Sequence, residues 1–420
     1  MQAMNNYSAK SVCVVDNGQF VELAVRLARD FGTAYYFNPW VSAFPRMSDA
    51  AVGEGIPEIQ LLYSLWDHLD KIDLWVFPDI YFADIQHFLR AQGRRVWGAA
   101  GAEWLELDRW STHNRQLELG IGTPITERIV GIDLLRRRLA EVEDKWVKVA
   151  VFRGDFETYH HLRYFTSEPW LNDIQNKFGP LAREVEFLVQ ESVPGVEIAY
   201  DGWTIDGRFP DRSLFGYEVK DLGYVGHVKP YTELPQQIRE VNAAFSDLLH
   251  EERCRSFLAF EMRVAEDGIP IVIDPCMRCG SPPTEANMEL WSNLAEVLWE
   301  GAAGNLVQPT SIADYAVMAL IHSPYAIAHW MAVDFPPEFR QWIKFRYLTV
   351  LNGRHYFVPQ DVPMAEIGAV VGLGNTLEEA IAHVDMIAPG VQGYQIEVHN
   401  AVFDKAREAI EEGEAYGIEF

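Results

Sequence analysis

Cysteine is scarce in this chain, which has four in 420 residues. So few cysteines do not make a disulfide framework in a chain of this length. Cys276 and Cys279 form a C-x-x-C, and His250 with Cys254 upstream could complete a four-ligand zinc site. A single C-x-x-C pair is weak evidence, and free cysteine is usually buried and inert. Buried thiols are therefore the favoured interpretation, with zinc as the alternative.

Long apolar runs are also missing. No run approaches the ~20 residues that a membrane-spanning helix needs. Residues 1–18 lack the apolar core and the cleavage site of a signal peptide. We therefore expect a cytoplasmic protein without a membrane partner.

Basic side chains are few, since 35 Lys and Arg stand against 61 Asp and Glu, a formal net charge of −26. Binding to a nucleic-acid backbone requires clustered basic side chains, so nucleic acid is not expected as a partner. A nucleotide substrate is still compatible with this charge, because local cations and Mg²⁺ can offset the surrounding negative field.

Residues 11–100, in contrast, contain a clear alternation of strand-like and helix-like segments. The predicted strands are Ser11–Val15, Ala34–Phe37, Leu74–Phe77 and Val96–Gly98, and the predicted helices are Phe20–Phe31, Gln60–Asp70 and Tyr81–Gln92. This rhythm predicts a small, parallel, doubly wound sheet. Asp16-Asn17-Gly18 follows the first strand, where such sheets bind ligands, but it lacks the G-x-G-x-x-G of a dinucleotide site.

Two carboxylates thirteen residues apart, Glu261 and Asp274, lie in consecutive strand-like runs that a glycine-bearing turn joins. If Val264 pairs with Ile269, Glu261 faces Val272 and Asp274 is its diagonal neighbour, roughly 7–8 Å away on the same face. Mg²⁺ takes such oxygen ligands, and substrate phosphates complete its shell. The alternative is a hairpin with two solvated acids; the metal site is favoured because Asp274 follows a buried-looking strand.

Other residue types that a nucleotide site requires occur in the same region of the chain. In chain order, the candidates are Lys148, Gly154, Gln190 to Val193, Glu197, Glu261 and Asp274. Lys148 lies on a buried-looking strand, where an ammonium needs an anionic partner. An internal salt bridge is therefore the alternative to a phosphate contact.

The order and spacing of these residues resemble the ATP-grasp superfamily over roughly residues 100–300. The matching features are a strand-borne Lys148, the glycine loop at Arg153-Gly154, Glu197 seven residues after Gln190, and the acidic strand pair. The layout is most similar to the biotin carboxylase and phosphoribosylamine–glycine ligase branch. In the C-terminal region, Thr376 with Glu379 three residues on predicts a capped helix that also resembles that branch.

The resemblance implies an α/β (α+β) ATP-grasp fold. A doubly wound α/β domain would span 1–105, the two-lobed grasp 106–305, and a β-rich domain 306–420. The small, nucleotide-clamping lobe would lie at about 125–195. A homodimer is possible by analogy with the branch.

The resemblance also implies a role for each candidate, with ATP and Mg²⁺ as cofactors. The implied nucleotide-binding residues are Lys148, Arg153 and Gly154 at the phosphates, Gln190, Glu191 and Val193 at adenine, and Glu197 at the ribose. Glu261 and Asp274 would bind Mg²⁺. Arg278 and Lys220 would be catalytic. Lys229 is a further, less securely placed cation.

Two positions depart from the pattern of the superfamily. The usual asparagine metal ligand falls at Cys276, and a thiol is a poor Mg²⁺ ligand. The first phosphate-binding lysine falls at His113, or at Arg115 with a small register slip, and histidine carries less charge at neutral pH.

The predicted function is an ATP-dependent carboxylate–amine ligase that forms a C–N bond through an acyl-phosphate. Its partners would be ATP and small-molecule carboxylate and amine substrates. The alternatives are a kinase-like phosphotransferase without ligation and a non-catalytic nucleotide-binding or assembly protein that retains the fold.

Overall fold

The computed structural model describes residues 7–39, 51–151, 158–359 and 365–420. The predicted phosphate-loop residues Arg153 and Gly154 lie outside these ranges. Within them the chain is a mixed α/β protein in which a parallel sheet is followed by antiparallel sheets, so the predicted fold class is confirmed.

The N-terminal unit is built on the predicted parallel sheet, with strand order β3-β2-β1-β4-β5. Its elements are β1 (Ser11–Val15), α1 (Val21–Leu27), β2 (Thr33–Phe37), β3 (Gln60–Leu62), β4 (Leu74–Val76), α2 (Ala83–Ala91) and β5 (Arg95–Trp97). β1 is wholly buried, as expected for a continuous apolar run inside a parallel sheet. The helix predicted over Gln60–Asp70 is wrong: the segment begins with β3, which pairs with β2, and its helical part is a single 3₁₀ turn, Trp66–His68, because sheet pairing overrides local preference.

The next unit is an antiparallel sheet of order β6-β9-β7-β8, which we call the small lobe. Its elements, with the two helices that precede it, are α3 (Trp104–Leu107), α4 (Arg109–Glu118), β6 (Thr126–Val130), α5 (Ile132–Leu139), β7 (Lys145–Val149), β8 (Thr158–His161), α6 (Tyr164–Phe178) and β9 (Glu186–Glu191). Val147 and Val149 pack in the core of this lobe. Because side chains alternate along a strand, Lys148 between them lies on the opposite face.

The strands that follow form the large lobe. Its elements are β10 (Val196–Ile205), β11 (Arg212–Val219), β12 (Gly223–Pro230), α7 (Gln236–Glu251), β13 (Arg255–Val264) and β14 (Pro270–Cys276). β10, β13 and β14 make an antiparallel sheet, against which α7 packs.

The hairpin of β13 and β14 has a different register from the predicted one. Val264 pairs with Pro270 rather than Ile269, and the register shifts between Glu261 and Met262. Such a bulge places one extra residue on one strand. Glu261 is therefore directly opposite Asp274, and the diagonal arrangement predicted from the sequence is wrong.

The remaining elements join the large lobe to the C-terminal part of the chain. They are α8 (Thr284–Leu290), α9 (Leu294–Ala302), β15 (Tyr315–His322), β16 (Met331–Asp334), β17 (Ile343–Phe345), β18 (Leu348–Leu351), β19 (Arg354–Phe357), β20 (Glu366–Gly374), α10 (Leu377–Ile387), β21 (Gln392–Gly393), β22 (Glu397–Val398) and α11 (Val402–Ala415). One sheet has the order β11-β12-β15-β20-β17, with β22 beside β15, and a second has the order β18-β19-β16-β21. The first sheet continues across residue 305, where the sequence predicts a domain boundary, and that boundary stays a prediction.

The predicted cap of the C-terminal helix α10 is confirmed. The Thr376 hydroxyl accepts from the Glu379 N–H, and the Glu379 carboxylate accepts in return from the Thr376 N–H. The two residues thus satisfy backbone donors that the first helical turn leaves open. In the parts of the chain that the structure describes, no helix combines the length and apolar character needed to cross a membrane.

A buried ion-pair cluster connects α1, α8 and β17. The Lys344 ammonium lies 2.5 Å from the Glu289 carboxylate, and both side chains are almost fully buried. Arg29 binds the other oxygen of Glu289 at 2.7 Å. Arg340, in the turn before β17, binds Glu22 of α1 at 3.0 Å. These contacts fix the N-terminal unit against the C-terminal sheet.

Candidate active site

A cleft between the small and large lobes brings most of the predicted site residues together. It contains a cavity of about 390 Å³. The predicted residues that line this cavity are Lys148, Gln190, Glu191, Val193, Glu197, Lys220, Glu261 and Asp274. Pro124, Trp146, Thr158, Arg263 and Ile273 complete the lining.

A second cavity of about 420 Å³ adjoins the first. Both are lined by Glu197, Lys220 and Glu261. The predicted catalytic Arg278 lines only the second of the two cavities. Glu261 therefore stands where a group bound in one cavity would meet a group bound in the other.

Asp274 is the anionic partner that Lys148 requires. The Lys148 ammonium donates to the Ile273 carbonyl at 2.9 Å and to the Asp274 carboxylate at 3.5 Å. Lys148 belongs to the small lobe and Asp274 to the large lobe, so this contact connects the two across the cleft. The internal salt bridge that the sequence analysis gave as the alternative is therefore present, and the phosphate contact stays a prediction.

Arg109 is a second cation beside Asp274, and the sequence reasoning missed it. Its guanidinium lies 3.8 Å from the Asp274 carboxylate and donates to the Val149 carbonyl at 2.6 Å. Arg109 is buried at the first position of α4, directly after the capping Asp108, which accepts from the Ser111 N–H. The capping Asp108 is the sequence feature that could have drawn attention to Arg109, because it marks the first turn of the helix.

His113, by contrast, lies outside the lining of both cavities. Its Nδ1 lies 3.0 Å from the Thr123 hydroxyl, and its ring stacks on Trp110. Burial lowers the pKa of His113, which favours the uncharged ring. The alternative, Arg115, pairs with Glu118 on its own helix. Arg109 also lies outside the lining of both cavities, but of these three residues it is the one that contacts a predicted metal ligand, Asp274.

Cys276 lies beside the carboxylates, but its thiol cannot supply the oxygen ligand that Mg²⁺ prefers. Its Sγ lies 3.5 Å from the Glu261 carboxylate, as a thiol donating to an acid. All four cysteines are buried and free, as the favoured interpretation predicted. Among the described residues, no group of three or more His, Cys, Asp or Glu is arranged to hold a metal ion, so the four-ligand zinc set does not form.

The segment between β9 and β10, which joins the small lobe to the large lobe, packs against β13. Gly195 has a φ of +98°, and a Cβ there would lie 2.0 Å from the Val264 carbonyl, so only glycine fits. Arg263, a residue that the sequence reasoning missed, donates to the Gly195 carbonyl and lies 3.7 Å from the Glu197 carboxylate. Arg263 thereby fixes the predicted ribose ligand relative to the large lobe.

The polar residues predicted at adenine have different local partners. Gln190 donates from its amide to the Thr126 hydroxyl at 3.1 Å, within the small-lobe sheet. Glu191 binds Lys145 at 2.8 Å. Both residues and Val193 line the cavity, and backbone N–H and C=O groups are among the polar groups that orient ligands in such pockets.

The two lysines of the β11–β12 hairpin, Lys220 and Lys229, have different surroundings. Lys220, at the end of β11, lines both cavities. Lys229 is directed elsewhere: its ammonium donates to the Glu419 carbonyl at 2.6 Å and lies over the Phe215 ring. Of the two, only Lys220 is placed to contact a ligand in the cleft.

Two further acids, Asp201 and Glu218, line the second cavity. Burial, with a smaller contribution from Glu261, raises the pKa of Asp201 to about 7. The same causes raise the pKa of Glu218 to about 8. The Tyr224 hydroxyl donates to Asp201 at 3.4 Å. At neutral pH this wall of the cavity consequently carries less negative charge than it would if both carboxyl groups were ionised.

The Arg278 side chain is bound by Glu106, a residue of the short helix α3. The Glu106 carboxylate accepts from the Arg278 Nε–H at 2.8 Å and from the Met277 N–H at 2.6 Å. The Glu106 side chain is fully buried, whereas that of Arg278 is 26% exposed. Nothing in the sequence around Glu106 signalled this contact.

No family model matches the chain, and no curated protein matches it in sequence. Solved structures do match over nearly the whole length. Phosphoribosylamine–glycine ligase from Thermotoga maritima superposes with a TM-score of 0.71 at 16% identity, covering 92% of this chain and 98% of the ligase.

Two further similar structures come from different enzymes. The biotin carboxylase domain of 2-oxoglutarate carboxylase from Hydrogenobacter thermophilus has a TM-score of 0.66 at 12% identity, covering 97% of this chain and 98% of that domain. L-amino acid ligase from Bacillus licheniformis has a TM-score of 0.60 at 14% identity, covering 92% and 98% respectively. All three are ATP-grasp enzymes. The chain therefore has the fold of the ATP-grasp enzymes.

Proposed function

We propose that this protein is an ATP-dependent carboxylate–amine ligase. The observation that carries the proposal is the pair of adjoining cavities that share Glu261 and Lys220, with Asp274 flanked by Lys148 and Arg109. One cavity has the residues for Mg-ATP and the other has room for a small substrate next to the γ-phosphate. The similar structures support the class, since they include a glycine ligase and an amino acid ligase.

The residues present fit a magnesium ion. Glu261 and Asp274 are directly opposite each other on paired strands, and Mg²⁺ usually takes one or two carboxylates and completes its shell with phosphates and water. When bound, the ion would neutralise charge on the phosphate oxygens. One similar structure was solved with MgADP. The Cys276 thiol donates a hydrogen bond to Glu261, so the two acids alone would ligate the ion.

The remaining residues would bind and orient the reactants. Lys148 and Arg109 contact phosphate oxygens, and Glu197 accepts from the ribose hydroxyls. The substrate carboxylate attacks the γ-phosphorus and ADP leaves. The amine then attacks the acyl carbon, phosphate leaves, and the amine loses a proton. Lys220 and Arg278 stabilise the charge that develops on the transferred group, so catalysis is mainly positioning and electrostatics.

The test is ADP release from Mg-ATP with panels of small carboxylates and amines. We expect release that depends on both a carboxylate and an amine. Release that needs the carboxylate alone, with a stable phosphorylated product, would favour the phosphotransferase instead. Binding of Mg-ATP without any turnover would favour a non-catalytic nucleotide-binding protein.

Two variants connect that assay to the site. Lys148→Met should raise the KM for ATP, and Asp274→Asn should lower turnover by about 100-fold or more, as loss of a preorganised charge in an active site commonly does. Lys405→Met is the control, since Lys405 is exposed on α11, away from both cavities. Turnover that is unchanged in Asp274→Asn would contradict the assigned metal site.

A further inference from the structure

Glu106 contacts both the backbone and the side chain of the segment that follows β14. One carboxylate oxygen accepts from the Met277 N–H at 2.6 Å and the other accepts from the Arg278 Nε–H at 2.8 Å. These two contacts bridge more than 170 residues of sequence. A single buried group therefore sets both where the chain turns after Cys276 and which way Arg278 extends.

The position of Glu106 separates it from any bound substrate. Glu106 is fully buried and lines neither cavity, whereas Arg278 lines the second one. The arginine side chain has several rotatable bonds, so holding it in a single orientation costs side-chain entropy. A carboxylate that binds Nε in advance performs this ordering before substrate arrives.

We propose that Glu106 is a positioning residue for phosphoryl transfer: its carboxylate holds the Arg278 guanidinium at the substrate cavity in the orientation that the reaction requires. This inference rests on the function proposed above. Because Glu106 lies outside the nucleotide cavity, its loss should affect the chemical step and leave ATP binding largely intact. A misplacement of about 1 Å in such a group can lower the rate about 100-fold.

The kinetic experiment is a double-mutant cycle of Glu106→Gln and Arg278→Ala. We expect each single variant to lower kcat by about 10- to 100-fold, with the KM for ATP changed less than about threefold. The double variant should be little slower than Arg278→Ala alone, because the effect of the carboxylate on the chemical step passes through the arginine, whereas its contact with the Met277 N–H supports the backbone. Losses that multiply, or an unchanged kcat in Glu106→Gln, would overturn the proposal.

Glu103→Gln is the matched control. Glu103 is also buried and lies in the turn directly before α3, but its carboxylate accepts from the backbone N–H groups of residues 81–83 and from Gln86. We expect Glu103→Gln to change thermal stability without abolishing the coupling between Glu106 and Arg278. Equal effects of both glutamate variants on kcat would show that Glu106 acts through general stability.

NMR spectroscopy can test the proposal even if the protein shows no turnover of a substrate. In protein labelled with ¹⁵N at arginine, the Arg278 Nε–H signal, assigned by its loss in Arg278→Lys, should exchange slowly with water. In Glu106→Gln that signal should exchange at least about tenfold faster, since an amide is a weaker acceptor than a carboxylate. Fast exchange in the unmodified protein would refute the positioning itself, whereas slow exchange in a protein without ligase turnover would refute only the proposed reaction.

Discussion

Asp201 has its carboxyl in the wall of the second cavity, where water is largely replaced by protein. Burial is the main reason that its pKa is raised to about 7, and the nearby Glu261 adds to the effect. Below pH 4 the group is protonated in both the folded and the unfolded chain. Between about pH 4 and 7 the unfolded chain loses the proton and the folded chain keeps it. The stability that Asp201 contributes is therefore present at low pH and lost as the pH rises through 7.

Asp201→Asn should consequently stabilise the protein at alkaline pH. The amide is uncharged at every pH, so the advantage of the variant in free energy of unfolding should grow by roughly 1–3 kcal/mol between pH 5 and 8, each pKa unit corresponding to about 1.4 kcal/mol. Denaturant titrations across this range measure it. Asp211→Asn, at an exposed acid, should show no such growth, and an equal response of both variants would contradict the assignment.

Single residues of the site were predictable where a charge interrupts an apolar strand. Lys148, Glu261 and Asp274 stand out in this way, because burying a charge without a partner is unfavourable. Arg109 and Glu106 lie on helices, where a charged residue in the sequence is ordinary. Their roles depend on contacts with residues more than 160 positions away, and no local pattern contains that information.

Among the secondary-structure elements, the β13–β14 hairpin shows what local patterns leave open. The sequence predicts both strands and the turn, but not the bulge between Glu261 and Met262. Which strand accommodates an extra residue depends on packing on both faces of the sheet. That detail decides whether the two acids are opposite or diagonal, and only the structure resolves it.

The capping box of α10 gives an element-level prediction. Thr376→Ala removes the acceptor for the Glu379 N–H, so we expect the protein to lose about 1 kcal/mol of unfolding free energy. Thr376→Ser, which retains a hydroxyl, should lose less. Glu378→Ala is the control, since Glu378 lies in the same first turn outside the capping box. A loss in Glu378→Ala as large as in Thr376→Ala would show that the cap is not the cause.

For the whole molecule, the buried cluster around Lys344 and Glu289 is one of the polar connections between the N-terminal unit and the C-terminal part of the chain. Lys344→Met should destabilise the protein by about 3 kcal/mol, the lower end of the range for breaking a buried ion pair, because Glu289 loses its closest partner but keeps Arg29. The double variant Lys344→Met with Glu289→Met should recover much of that loss. Thermal unfolding of the three proteins tests this, and a double variant less stable than Lys344→Met would contradict it.

The overall architecture was predictable because it depends on patterns that recur along the whole chain. Alternating strands and helices indicated the parallel sheet, and the resemblance of the residue order to the ATP-grasp superfamily implied the two-lobed grasp. The similar structures share only 12% to 16% of their residues with this chain, so the fold tolerates most substitutions. The joining of β11 and β12 to C-terminal strands was not predictable, because strand pairing between distant segments leaves no local pattern.

The contact between Lys148 and Asp274 has a consequence for how a ligand would enter. Lys148 and Asp274 contact each other at 3.5 Å, so at the proposed Mg-ATP site each would compete with the phosphate or the cation for the other group. The measured affinity for Mg-ATP would then equal the intrinsic affinity multiplied by the fraction of molecules in which this contact is open. Salt weakens ion pairs and phosphate binding together. The apparent affinity for nucleotide should therefore vary less steeply with ionic strength than the number of cations in the cleft alone would suggest.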